Sequence, residues 1–392
     1  MFRKAFKYRL YPTRQQEQAL LWTLSRCREL YNAALQERRD AYRMAGVSLR
    51  CYDQINQLPD IKQERSEYAD IHSQVLQDVL RRVDKAMQGF FRRLKAGQKP
   101  GYPRFQGRNR YDSFTYPQAG FALVGERLTL SKIGDVKVRL HRPMLGTVKT
   151  CTIKRDADQW YVCFSCEVEE EPLPASEEAV GLDLGLLHFA TLSTGETIEN
   201  PRHSRRGLKK LAIAQQKLSR CKRGSHRRER ARKAVTRAHR TIRNQRRDFL
   251  HKAARALVNR YGVIVMEDLK ILNMSKAPEP KPNPNQDGAY LPNGASAKAG
   301  LNTSLLDAGW GQFQQLCVAK AASAGRRVLF VDPHFTSQRC SHCGAIAKKA
   351  LSERWHACAC GCELDRDHNA AINILLAGKQ PTTLRGRRSP AL

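Results

Sequence analysis

The first residues, "AFKYRLYP", alternate apolar and polar side chains, the period of a strand with one buried face. Pro12 and Thr13 then open a helix, and Gln16 stands where a capping box closes. Leu20, Leu24, Cys27, Tyr31 and Leu35 recur at steps of three and four, which places them on one helix face. The stretch "SQVLQDVLRRVDKAMQGFFRRLKAG" predicts a second amphipathic helix. Val75, Val79, Val83, Met87 and Phe90 should face inward, with Arg81, Arg82, Arg92, Arg93 and Lys95 elsewhere on its surface. A helical section therefore fills roughly residues 14–96. Strand-like segments return over 112–170, including a hairpin "KTCTIKRDADQWYVCFSCEVE" that turns at Asp156 to Asp158. Cys163 and Cys166 sit three apart on an alternating strand, so their thiols should point to opposite faces and serve packing.

The run "EPLPASEEA" reads as a linker, after which the pattern changes. "AVGLDLGLLHFATLSTGE" predicts a strand, a tight turn and a return strand. Residues 202–247 are helical and heavily basic, with Glu229 and Asp248 almost the only acids nearby. A solvated helix face normally mixes signs to gain pairs at i,i+4, and this one does not, which favours a polyanion partner. "YGVIVMEDL" is a short apolar strand ending in acids. "KAPEPKPNPNQDGAYLPNGASAKAG" is rich in Pro, Asn and Gly and is expected to be a mobile loop. Helix returns with "TSLLDAGWGQFQQLCVAKAASAG", capped near Thr303, followed by the strand "RRVLFVDP" and a last apolar helix at "HNAAINIL".

Composition adds the partner class. The 392 residues are 41% hydrophobic, enough for a folded core, yet carry 69 Lys and Arg against 37 acids, a formal charge of +32. So positive a surface repels itself unless a polyanion covers it, and nucleic acid is the expected one. No stretch has the apolar core of a signal peptide or the roughly 18 apolar residues of a membrane span, so an intracellular, cytoplasmic location with no membrane partner is expected. Twelve cysteines in a reducing compartment do not suggest a disulfide framework. In "GYPRFQGRNRYDSFTYP", Tyr102, Phe105, Tyr111, Phe114 and Tyr116 interleave with Arg104, Arg108 and Arg110. The rings either stack on bases or pack a sheet; the pattern alone allows both.

Three acids occupy unusual positions. Asp183 lies within the apolar "VGLDLG", where an unpaired carboxylate costs several kcal/mol; Glu267 ends "VIVME"; Asp367 lies where "HNAAINIL" opens. Carboxylates gathered at one end of a sheet can hold two Mg²⁺ about 3.5–4 Å apart for phosphodiester hydrolysis. Gly181 and Gly185 flank Asp183 and would admit a close backbone. Asp268, Asp332, Asp365 and His368 are the nearby rivals. Asp268 should point away from Glu267, and Asp332 suits a turn. Asp365 could cap the helix or hold Arg366, and spacing alone does not separate it from Asp367. The remaining signal is a cysteine cluster, "CSHC" at 340–343 and "CACGC" at 358–362. Two close pairs separated by a short hairpin are the usual construction of a structural zinc ribbon. Cys340, Cys343, Cys358 and Cys360 are the favoured Zn²⁺ ligands, with Cys362, His356 and His342 near enough to compete.

"VGLDLG", "VIVMEDL", "TSQRCSHCG" and "CGCELDRDHNAAINI" resemble the TnpB proteins of bacterial insertion sequences, RNA-guided DNA endonucleases related to type V CRISPR effectors. "KAFKYRLYPT", "QDVLRRVDKAMQGFFRRLKAG" and "YPRF" resemble that family's N-terminal half, in the same order. The resemblance implies Asp183, Glu267 and Asp367 as the catalytic Mg²⁺ ligands; it selects Asp367 because the family's third acid stands two residues before the Asn of "NAA", here Asn369. The tight second cysteine pair departs from the family pattern. The implied architecture is α+β and multidomain. A strand-rich, β-barrel-like wedge domain (1–12 and 97–172) is interrupted by a helical recognition domain (13–96). An RNase H-like (RuvC) nuclease domain (173–336 and 363–380) carries a zinc-ribbon insertion (337–362), and a disordered tail follows (381–392). The implied partners are a guide RNA from the transposon end and double-stranded target DNA beside a short target-adjacent motif, with no small-molecule substrate. A guide-directed repressor without cleavage and a DNA transposase are the alternatives; a repressor would be expected to have lost one of the acids.

Overall fold

The computed structural model describes residues 2–108, 110–169, 171–286, 288–350 and 353–380. The expected tail at 381–392 lies outside the described residues. The chain divides into two compact units, Met1–Glu169 and Glu170–Leu392, a mixed α/β, multidomain architecture.

In the first unit β1 (Phe2–Tyr11) leads into α1 (Arg14–Ala45), whose Thr13–Gln16 capping box is closed in both directions. The short helices α2 (Cys51–Asn56) and α3 (Leu58–Glu64) precede α4 (Ser73–Lys95). Six strands follow: β2 (Ser113–Tyr116), β3 (Phe121–Val124), β4 (Arg127–Leu130), β5 (Gly134–Arg139), β6 (Thr147–Asp156) and β7 (Gln159–Val168). All seven strands form one sheet in the order β2-β6-β7-β1-β5-β4-β3. It curls until it is nearly closed, and Tyr116 on edge strand β2 donates its hydroxyl to Ser131 O, just past β4, at 3.0 Å. Alternation along β1 sends Phe6, Tyr8 and Leu10 inward, where they share one buried cluster with Leu20, Leu24, Cys27 and Leu35 of α1 and Val75, Val79 and Val83 of α4. On β7 Cys166 is buried while Cys163 lies on the other face, as alternation requires.

Arg82 departs from the surface position expected for it. Its guanidinium bonds Asp78 (2.8 Å), Ser113 O (2.8 Å) and Thr115 Oγ1 (2.7 Å), tying α4 to β2. Helical periodicity placed it beside the apolar stripe, and a long amphipathic side chain at that border can turn inward to a strand edge.

The second unit is built on β8 (Ala179–Asp183), β9 (His188–Leu192), β10 (Thr197–Glu199), β11 (Val263–Glu267) and β14 (Arg327–Val331). Their order is β10-β9-β8-β11-β14; the first three strands are antiparallel, and β8, β11 and β14 are parallel. Between β10 and β11 run the basic helices α5 (His203–Ser219) and α6 (His226–Arg260). Then come α7 (Ile271–Met274), the two-residue strands β12 (Lys281–Pro282) and β13 (Tyr290–Leu291), α8 (Ala295–Ala308) and α9 (Trp310–Ser323). Helix therefore begins at Ala295, inside the run expected to be loop, and Thr303 is not a cap. It lies within α8 and its hydroxyl donates to Ala299 O at 2.9 Å. The actual break is Gly309, whose φ of +72° ends α8 and begins α9. The hairpin β15 (Trp355–Ala357) and β16 (Glu363–Asp365) closes the cysteine lobe, and α10 (Arg366–Lys379) returns to pack on the sheet.

Candidate active site and metal centre

β8 and β11 run side by side in parallel, with Leu182 opposite Met266. Asp183 and Glu267 are the next residues along the two strands, so they emerge together at the same sheet end, about one strand spacing of 4.8 Å apart in backbone. Both strands are apolar because both faces are covered: Val180, Leu182, Ile264 and Met266 are buried in a cluster with Leu250, Phe313 and Cys317 on one face, and Val265 is buried with Ile374 of α10 on the other. Asp367 arrives from α10, which lies directly against β8. A Cβ on Gly181 would stand 2.2 Å from Ala371 O and 2.7 Å from Leu375 N. Only glycine allows that approach, and the approach brings the first turn of α10 to the strand end. Gly185 contributes less; its Cβ would meet His188 O at 3.0 Å and Asp367 Oδ2 at 4.0 Å.

Electrostatics record the convergence. Burial pushes the Asp183 carboxyl up to about 8, and the charges of Glu267 and then Asp367 push it the same way. Glu267 is only 8% exposed; burial raises it too, while the Thr336 hydroxyl, donating to Oε1 at 2.6 Å, works against the rise. Near Asp367 the cations are Arg366 Nε at 3.6 Å and Arg354 Nη1 at 3.9 Å. An acid cluster that holds a proton at neutral pH is short of positive charge, and the donor set of three carboxylates suits hard divalent cations. Among the described residues, the groups with ligand atoms mutually within 4.8 Å are both in the cysteine lobe, so the acid trio is spaced more openly.

The rivals take structural roles. Asp365 is the N-cap of α10, accepting the backbone N–H of Asp367 (2.9 Å) and His368 (3.2 Å). Asp332 accepts the His334 N–H at 3.0 Å, an Asx turn after β14. His368 Nε2 lies 3.3 Å from Ser193 O. The backbone of Asp268 continues the β11–β14 pairing by donating to Val331 O at 2.8 Å.

Sequence reasoning missed the side chains that hold the acids in place. Besides Thr336 these are Gln314, buried and donating to Glu267 O at 2.9 Å, and the pair Asn369 and Asn373 on α10. Asn369 bonds Arg339 O (2.8 Å) and accepts Ser341 N–H (2.9 Å); Asn373 donates to Thr336 O (2.9 Å) and Arg339 O (2.7 Å). The segment that touches Glu267 and enters the cysteine lobe is thereby fastened to the helix that carries Asp367. One signal for them was available: two asparagines four apart on an apolar helix face require buried partners.

In the lobe, Cys340, Cys343, Cys358 and Cys360 form one ligand group, with Sγ–Sγ separations of 3.7 Å for Cys340–Cys360 and 3.5 Å for Cys343–Cys358. Four thiolates at 2.3 Å from a tetrahedral zinc would be about 3.8 Å apart. The four thiols fit the ion. Cys340 also belongs to a second group with His356 and Cys362, so those rivals do lie close. His342 is in neither group.

Family profiles match in three places: "Probable transposase" over residues 163–277, "Cas12f1-like, TNB domain" over 310–374 and "Helix-turn-helix domain" over 1–46. A Streptomyces pristinaespiralis protein named "Putative RNA-guided DNA endonuclease" is 34% identical, over 96% of this chain and 89% of that one. Escherichia coli K12 "Putative RNA-guided DNA endonuclease InsQ" is 36% identical, over 96% and 92%. The chain belongs to the TnpB family. In this TnpB chain the first matched span contains Asp183 and Glu267, and the second contains the cysteine lobe and Asp367. The third does not match its label in form, since residues 2–45 are one strand and one uninterrupted 32-residue helix. Among solved structures, the protein chain of a Cas12f1–sgRNA–target DNA complex shares the fold with a TM-score of 0.56 at 13% identity, covering 95% of this TnpB chain and 98% of its own. No helix among the described residues is long and apolar enough to cross a membrane.

Proposed function

We propose that this TnpB-family chain is an RNA-guided DNA endonuclease in which Asp183, Glu267 and Asp367 hold two Mg²⁺ ions. The observation that carries the reading is the meeting of three acids, from three separated segments, at one end of the β10-β9-β8-β11-β14 sheet. That order, three antiparallel strands followed by two parallel ones, suits an RNase H-like, RuvC-type nuclease domain. When bound, such ions activate water and stabilise the leaving oxygen of a phosphodiester. The chain's own residues supply the setting. Thr336 and Gln314 fix Glu267, Asp365 caps the helix that presents Asp367, and Gly181 lets that helix close on the sheet. The cysteine lobe is a zinc ribbon held by Cys340, Cys343, Cys358 and Cys360, in which the ion replaces a hydrophobic core that so small a lobe cannot build.

The names of the relatives support RNA guidance, and the charge of +32 supplies the electrostatics for holding RNA and DNA. The guide comes from the transposon end. Base pairing reads the target while protein reads backbone and a short target-adjacent motif, and one site cuts both strands in the bacterial cytoplasm. The test is expression together with the flanking DNA, sequencing of the co-purifying RNA, and incubation of the complex with plasmids matching that RNA. A discrete transposon-end RNA and linearised matching plasmid are expected. Random cellular RNA would refute guidance, joined strands would favour a transposase, and binding without cutting would favour a repressor.

A further inference from the structure

The aromatic and basic segment of the first unit divides into two parts. Tyr111, Phe114 and Tyr116 are buried and pack the sheet, whereas Tyr102 and Phe105 remain 41% and 46% exposed. Residues 101–106 have no regular secondary structure, yet they are fastened in place. Asn32 Nδ2 donates to Gln106 O (3.1 Å), Asn32 Oδ1 accepts the Gln106 N–H (2.8 Å), and Arg93 Nη2 donates to Gly101 O (3.1 Å). The Tyr102 ring leans edge-on against Phe90, with centroids 5.4 Å apart. The Arg39 guanidinium sits over the Phe105 ring at 5.4 Å. Between them opens a cavity of about 430 Å³ whose lining includes Arg39, Pro103 and Arg104 and no acid.

Asp40 Oδ1 stands 3.4 Å from Arg39 Nε and partly offsets its charge, whereas the lining itself holds Arg39 and Arg104 and no acid, so the exposed ring with a guanidinium on it suits a planar group that carries negative charge beside it. We infer that this cavity receives an unstacked nucleobase of a single strand, stacked on Phe105 or Tyr102, with its flanking phosphate on Arg39 and Arg104. A paired duplex presents only base edges and cannot offer a free ring face, so the occupant is single-stranded. The inference goes beyond the nuclease reading, because it concerns residues of the first unit and needs none of the three acids.

The test uses the full chain, stripped of nucleic acid, and short single strands of RNA and of DNA carrying 5-iodouracil. Photocrosslinks on Tyr102 or Phe105, located by mass spectrometry, are expected, and the two strand types reveal whether RNA or DNA supplies the base. Affinity is then compared between base-bearing and abasic strands of equal charge. Phe105→Ala should weaken the base-bearing strand by roughly 5- to 150-fold while leaving the abasic strand within about twofold, and Phe105→Trp should retain binding. Equal losses on both strands, no loss in either strand type, or a change confined to self-association of the chain would overturn the inference. Asp183→Ala should leave the discrimination intact, so failure here is separable from failure of the nuclease assignment.

Discussion

At Glu267 burial and a single hydroxyl act on the same carboxyl in opposite directions. Thr336→Val keeps the shape of that neighbour but removes the donor, leaving a buried acceptor unpaired. The expected cost is about 1–3 kcal/mol in thermal or denaturant unfolding, with cleavage reduced by about 10–100-fold and Thr336→Ser close to wild type. At Asp183 the sign of the pH dependence follows from a folded value pushed up to about 8 against an unfolded value of about 3.9. Between those limits the folded, metal-free chain keeps a proton that the unfolded chain has released. Its contribution to stability is therefore full below about pH 4 and is lost as pH rises toward 8, at most about 1.4 kcal/mol per pH unit. Metal-free protein should melt lower at pH 8.5 than at pH 6, and Asp183→Asn should flatten that difference. Mg²⁺ should raise the melting temperature more at the higher pH, where binding no longer has to expel the proton.

On the scale of elements, the close approach of α10 to β8 decides whether the third acid reaches the other two. Gly181→Ala puts a methyl group into the backbone of α10, so the helix must move. A stability loss of roughly 1–3 kcal/mol or more and loss of DNA cleavage with retained RNA binding are expected, read by thermal unfolding, a cleavage assay and a filter-binding assay. Much of this scale was legible in the sequence. The period of two along β1 and the three-four steps of α1 gave those elements, because local pattern and burial agree there. Asp183 and Glu267 were readable as acids at the ends of apolar strands, since a carboxylate in that setting needs a purpose. What stayed illegible depends on distant partners. Thr336 meets Glu267 across 69 residues and Asn373 meets Thr336 O across 37. Spacing could not separate Asp365 from Asp367 either, since a cap and a metal ligand use the same residue type; the cap bonds of Asp365 appear only in the folded chain. Thr303 and the loop before it were misread because Pro and Asn dominated the window, while the Ala-rich stretch from Ala295 could already form helix.

Over the whole molecule the formal charge is +32. Exposed cations on α5, such as Arg205, Arg206, Lys209 and Lys210, have few acids beside them, and α5 buries none of its residues. Replacing these four by Gln should weaken nucleic-acid binding without sequence preference. The slope of log affinity against log salt should fall by up to about 0.7–0.9 for each phosphate left unneutralised, as measured by anisotropy across a salt series. A strong chelator should release one ion per chain from the cysteine lobe, proposed as a zinc ribbon, and lower the melting temperature, because Ser341 and Arg339 link that lobe to Asn369 on α10.

The proposed function depends on three acids from distant segments forming one metal-dependent nuclease site. Its most direct measurement is cleavage of guide-matched plasmid, in Mg²⁺, by purified complexes of wild type, Asp183→Ala, Glu267→Ala and Asp367→Ala with equal RNA content. Wild type should linearise the plasmid, and each variant should lose cleavage by several orders of magnitude while still holding its RNA. Cutting at the wild-type rate by any one of the three variants would contradict it.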